Sequence, residues 1–229
     1  MACKKEQNYT AQQIIDKSIE KSGSHLIGNS EINFMFRDKN YTAKRKNGVF
    51  QLSRSFDSIT DVLSNKGFVR KINDVIVDLN DTIAHNYANS VNSVHYFSVL
   101  PYGLNDKAVR KKLLPSSTLN GKEYYKIEIT FSENGGGEDF EDVFIYWVDK
   151  QTFLIDYLAY SYHTNGGGKR FRVLKEQCIK NGIRFVDYIN YKPIDNDVKL
   201  TNLDKAFEQN KLIKVSEIVL KNIDVTLLN

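Results

Sequence analysis

Apolar-rich segments follow one another between Glu123 and Tyr191, joined by connections too short for anything but antiparallel neighbours. The predicted strands cover residues 124–131, 140–148, 153–162, 169–178 and 183–191, and Asn134-Gly135-Gly136-Gly137, Asn165-Gly166-Gly167-Gly168 and Asn181-Gly182 mark three of the turns. In the first strand Tyr125, Ile127, Ile129 and Phe131 alternate with Lys126, Glu128 and Thr130, the period-two pattern of a strand buried on one face. At about 3.3 Å per residue, strands of roughly ten residues are roughly 30 Å long, and a sheet of such strands must curl.

The segments before this meander are also predicted to be mostly sheet. Residues 31–37, 41–46 and 49–56 form strands with turns at Asp38-Lys39-Asn40 and Lys46-Asn47-Gly48, and residues 60–63 and 68–79 continue the pattern around Asn65-Lys66-Gly67. Two stretches switch to helical spacing. Thr10 caps the first, in which Ile14, Ile15, Ser18 and Ile19 share a narrow stripe ending at Gly23. Asn80 or Asp81 caps the second, which carries Ile83, Tyr87, Val91 and Val94 and ends before Pro101. Leu100–Leu104 and Leu113-Leu114-Pro115 read as irregular segments. A short helix is expected over residues 203–211, and closing strands over 215–220 and 223–227. The expected fold is therefore mainly β (α+β): a curled antiparallel sheet forming an incomplete barrel, with helices packed on its concave side.

Composition narrows the function. Lysine and arginine total 32 against 28 acids, a net charge of +4 spread along the chain, which argues against nucleic acid as a partner. No apolar run approaches the ~20 residues that span a bilayer. The glycine-rich Gly166-Gly167-Gly168-Lys169 lacks the spacing of a phosphate loop and leads into a strand. His25, His85, His95 and His163 include no pair at metal-ligand spacing on a helix, so neither a metal nor another cofactor is expected. Cys178, near a strand end, reads as a buried inert thiol. Enzymatic chemistry would need polar titratable groups to converge, with Asp156, Asp187, Arg170, Arg172 and His163 as the test set. No catalytic residue is assigned. The aromatic side chains lie on both faces of the predicted strands; they either pair across strands in a filled core or line an apolar cavity.

Two resemblances add to this reading. Met1-Ala2-Cys3-Lys4-Lys5-Glu6 resembles the mature start of a bacterial lipoprotein, with Cys3 as the lipid-carrying residue, residues 1–9 as a tether and residues 10–229 as a single domain. Asp142-Val143-Phe144-Ile145-Tyr146-Trp147-Val148-Asp149, Ile155-Asp156-Tyr157-Leu158-Ala159-Tyr160, Gly166-Gly167-Gly168-Lys169-Arg170-Phe171-Arg172 and Gly182-Ile183-Arg184-Phe185-Val186-Asp187-Tyr188 resemble an uncharacterised family of Bacteroidota lipoproteins, itself similar to lipoprotein carriers of the LolA/LolB type. The resemblance implies an incomplete barrel over an apolar cavity able to shelter acyl chains, in a non-catalytic protein anchored on the periplasmic side of the outer membrane through Cys3. The cavity candidates are Ile14, Ile83, Tyr87, Tyr125, Ile127, Ile129, Phe131, Ile145, Trp147 and Tyr157. The alternative is a structural or interaction lipoprotein with a filled core that binds an envelope protein.

Overall fold

The computed structural model describes residues 8–134, 140–163 and 166–228. Among the described residues, fourteen strands and three α-helices run in the order α1 (Ala11–Lys21), β1 (Ser30–Phe36), β2 (Lys39–Lys46), β3 (Val49–Phe56), β4 (Ile59–Ser64), β5 (Gly67–Ile72), β6 (Val75–Val77), α2 (Asp81–Ser98), β7 (Val109–Leu119), β8 (Lys122–Phe131), β9 (Val143–Asp149), β10 (Ile155–Tyr162), β11 (Gly168–Lys180), β12 (Ile183–Pro193), α3 (Leu203–Glu208), β13 (Leu212–Ile218) and β14 (Lys221–Leu227). They form two seven-stranded sheets, ordered β14-β1-β2-β3-β4-β5-β6 and β13-β12-β11-β10-β9-β8-β7. Each sheet has two unpaired ends, so neither closes into a barrel, and the protein is mainly β with open antiparallel sheets, as the sequence predicts. The expected closing strands separate: β14 adds to β1, and β13 to β12.

Turn chemistry explains most of this order. Arg37-Asp38, Asn47-Gly48, Asn120-Gly121 and Asn181-Gly182 all have positive φ at both central positions, the geometry whose twist suits a two-residue hairpin. Asn73-Asp74 does the same. That turn splits the strand expected over 68–79 into β5 and β6, and without a glycine it gave little sequence signal. Leu113-Leu114-Pro115, expected to be irregular, lies in the edge strand β7. The pairing with β8 slips between Leu114 and Ser117, where a bulge accommodates a residue that has no N–H to donate.

The chain divides into two compact units. The first comprises residues 1–21, 103–174 and 189–216, and the second residues 22–102, 175–188 and 217–229. In the first unit α1 is closed by a reciprocal cap: the Gln13 amide donates to Thr10 Oγ1, and the Thr10 amide donates to Gln13 Oε1. One face of its sheet packs Leu119, Tyr124, Ile145, Trp147, Tyr157 and Phe171 with Leu203 of α3. In the second unit Ile32, Phe34, Tyr41, Ala43 and Leu52 pack with Val91 of α2 and with Ile183 and Phe185. Gly23, expected only to stop α1, is required for a further reason: a Cβ at its φ of 70° would run into the Gly182 carbonyl.

Candidate functional site

The second unit's sheet carries charge where its period-two pattern calls for apolar side chains. Leu52, Arg54 and Phe56 on β3, Ile59, Asp61 and Leu63 on β4, and Phe68, Arg70 and Ile72 on β5 share one parity. Register makes Tyr41 and Arg54, Arg54 and Asp61, and Asp61 and Arg70 direct cross-strand partners. Asp61 has no solvent exposure. Arg70 reaches it with Nε at 2.6 Å and Nη2 at 2.9 Å, and Arg54 with Nη2 at 2.6 Å and Nε at 3.1 Å. Burial alone would raise the Asp61 pKa, but the two guanidinium groups prevail and hold it below the usual carboxylate range.

The same arginines tie α2 to the sheet. Arg54 Nη1 donates to Ser90 Oγ at 2.7 Å, and the Arg70 guanidinium lies 3.5 Å from the centre of the Tyr87 ring. Farther along α2, His95 Nε2 lies 3.0 Å from the Ser53 carbonyl oxygen, which can only accept, so Nε2 carries the proton and Nδ1 is bare. The ring stands edge-on to Phe34 and Tyr41. Burial, with the nearby Arg45 charge, pushes the His95 pKa down to about 4 despite the Ser53 hydrogen bond. Along α2 only Val91, His95 and Ser98 are buried. Consequently Phe36, Phe50, Leu63, Phe68, Val94 and Tyr102 pack on the core while remaining partly exposed.

The first unit has its own buried polar centre. Lys126 Nζ pairs with Asp204 Oδ2 at 2.7 Å and donates to the Thr201 carbonyl, while Trp147 Nε1 is shared between Asp204 Oδ2 and Ser117 Oγ at 3.1 and 3.0 Å. Lys126 was expected on the solvent side of its strand. It is buried because α3 covers that face, so β8 is packed on both sides.

The predicted cavity residues do not share one surface. Register puts Lys126, Trp147, Tyr157 and Val173 in one cross-strand row, and Ile127, Tyr146, Leu158 and Arg172 in the next row on the opposite face. Ile145, Trp147 and Tyr157 therefore face α3, while Tyr125, Ile127, Ile129 and Phe131 point the other way. There Tyr125 meets Tyr9 edge-on and stacks on Phe153. Ile14, on α1, is fully buried. Ile83 and Tyr87 lie on α2 in the second unit, Ile83 exposed and Tyr87 half-buried under Arg70. Cys3 lies outside the described residues. Cys178 is exposed, against the buried thiol expected, because the far end of β11 is exposed on both faces.

Each member of the enzymatic test set has its own structural partner. Asp156 accepts from Tyr124 Oη, Asp187 from the Leu220 amide, and His163 faces Asp142; Arg172 donates to Tyr160 Oη, and Arg170 to the Lys169 carbonyl. Among the described residues no group of three or more histidine, cysteine and acidic side chains is placed to hold a metal ion. No helix among them is long and apolar enough to cross a membrane.

Sheet order, strand register and the helix lying over one face define an open-sheet antiparallel β protein. Its fold is also that of a crystal structure of a DUF1329 family protein from Desulfovibrio piger, with a TM-score of 0.56 and 11% identity over 95% of this chain and 93% of that one. The chain belongs to the family of unknown function DUF6503, whose family model matches residues 1–219. A comparison with curated proteins found no match. Its structural neighbours also include a LolA superfamily protein from Nitrosomonas europaea, at a TM-score of 0.49 and 11% identity over 97% of this chain and 94% of that one. A putative outer membrane lipoprotein-sorting protein domain from Vibrio parahaemolyticus matches with a TM-score of 0.48 and 8% identity over 95% and 93%.

Proposed function

We propose that the chain is a non-catalytic cell-envelope protein that holds an apolar ligand, a lipid or an acyl chain, against the α2-covered face of its N-terminal sheet. The observation that carries this reading is the thin cover on that face. An 18-residue helix buries three of its own side chains there and is held by polar links to Arg54, Arg70 and Ser53, while a rim of large apolar side chains stays partly exposed. A helix whose sole task was to seal a core would present a wider apolar stripe. Anchoring through a lipidated Cys3, on the periplasmic side of the outer membrane, belongs to the same proposal. It rests on the sequence resemblance.

Native mass spectrometry of the purified protein, followed by organic extraction, tests the reading. Acyl species should co-purify and should be lost in Leu63→Lys and Phe68→Lys variants that retain the native circular-dichroism spectrum. A clean apo mass with no uptake of an added fluorescent fatty acid overturns it. A second reading, docking of an envelope protein, is favoured by the edge strand β6, where Val75 and Ile76 are each 67% exposed. Partner capture abolished by Ile76→Lys, with lipid content unchanged, would select it.

A further inference from the structure

Among the described residues, the second unit contains a buried cation with no ion-pair partner. Arg45 takes a core-facing position on β2, opposite Ser30 of β1 and Phe50 of β3, and is 7% exposed. Its Nη1 is buried without a hydrogen-bond partner, and its guanidinium lies 5.3 Å from the centre of the Tyr102 ring. Among the described residues no carboxylate pairs with it. The buried acid on this face, Asp61, already receives Arg54 and Arg70. His95, 1% exposed and close enough for the Arg45 charge to act on its ring, keeps Nδ1 buried and without a hydrogen-bond partner. A buried donor bearing positive charge and a bare acceptor thus remain unsatisfied in one interior, and each alone is costly. Ile32, Ala43, Leu52, Val91 and Val99 of the same unit's core are apolar and have no polar side-chain atom to offer either of them.

We propose that Arg45 and His95 form the head-group site of an anionic amphiphile, in which an oxyanion, carboxylate or phosphate, pairs with Arg45 and contacts His95 while its chain lies on the apolar face. This rests on the proposed function and names the class of its ligand. One oxygen accepts from Arg45 Nη1. A second, if it is the hydroxyl of a phosphate monoanion, donates to His95 Nδ1; a carboxylate meets the same nitrogen after His95 takes up a proton, which the anion favours by offsetting the Arg45 charge.

Displacement of the neutral probe N-phenyl-1-naphthylamine from the full chain separates the terms. Hexadecanoate and hexadecyl phosphate should displace it at about tenfold lower concentration than hexadecanol, the difference expected for one charge-assisted hydrogen bond. Arg45→Gln and Arg45→Met should bring that ratio close to one, with thermal melting confirming that each variant folds. Equal displacement by acid and alcohol in the native protein, or a ratio that survives in a folded Arg45 variant, overturns the head-group site and leaves apolar binding intact. Failure of all three chains to displace the probe or bind directly counts against the proposed function instead, and the head group of a chain-bearing ligand falls with it. Acetate and inorganic phosphate, followed by the His95 ring-nitrogen resonances, distinguish a free anion from a head group. Resonances that move only with the chain-bearing anions support the proposal, and an equal response to the chainless ones overturns it.

Discussion

Replacing His95 with Gln should remove a defined part of the protein's sensitivity to acid. The folded protein resists protonating this ring until about pH 4, whereas the group's ordinary value is 6.5. Between those values the unfolded chain binds the proton and the folded chain does not. The contribution is therefore harmless above the unfolded value, and stability falls as the pH drops from 6.5 towards about 4. At about 1.4 kcal/mol for each tenfold change, the gap amounts to about 3 kcal/mol. Gln keeps an N–H that can donate to the Ser53 carbonyl and does not titrate. Urea unfolding followed by far-ultraviolet circular dichroism, from about pH 7.5 to about pH 4, measures the effect in both proteins. Their difference isolates His95, because every other group titrates in both. The native protein should lose about 3 kcal/mol more than His95→Gln over this range. Parallel curves would show that the folded protein accepts the proton at its ordinary value, and would refute a neutral, desolvated ring.

Three further outcomes follow from the buried polar groups and the first helix. Asp61→Asn leaves Arg54 and Arg70 buried without their shared carboxylate and should cost about 3–5 kcal/mol in urea unfolding. The depressed Asp61 pKa gives the opposite pH window from a raised one: the advantage over the Asn variant is complete above the unfolded carboxylate value, near 3.8, and shrinks as the pH falls towards the folded value. Asp204→Ala removes the partner of both Lys126 and Trp147 and should cost a similar ~3–5 kcal/mol, with a red shift in emission from Trp147, the single tryptophan; Lys126→Met combined with Asp204→Leu should recover most of the loss. Thr10→Ala opens the reciprocal cap of α1 and should cost about 1 kcal/mol, read as faster hydrogen exchange at the Gln13 amide.

The hairpins were legible because their determinants are local. An Asn-Gly pair at 47–48 or 181–182 favours the left-handed backbone of a tight turn whatever the rest of the chain does. Both helices with a capping side chain, Thr10 for α1 and Asn80 for α2, were legible for the same reason. Once the turns at Asp57-Ser58 and Asn65-Lys66 are placed, the ladder from Arg54 through Asp61 to Arg70 also follows, since these charges share parity with apolar neighbours. Local pattern could not disclose which strand faces would be covered. Lys126 looked solvated until α3, some 78 residues away, brought Asp204 to it. The alternation of Ile127 and Trp147 likewise gave no warning that one faces away from α3 and the other towards it, because that depends on cross-strand register. Arg45 reads in sequence as one cation in a basic run. It becomes a candidate site only when tertiary packing buries it and, among the described residues, supplies no anion, since the cost of an unpaired charge arises only where water has been excluded.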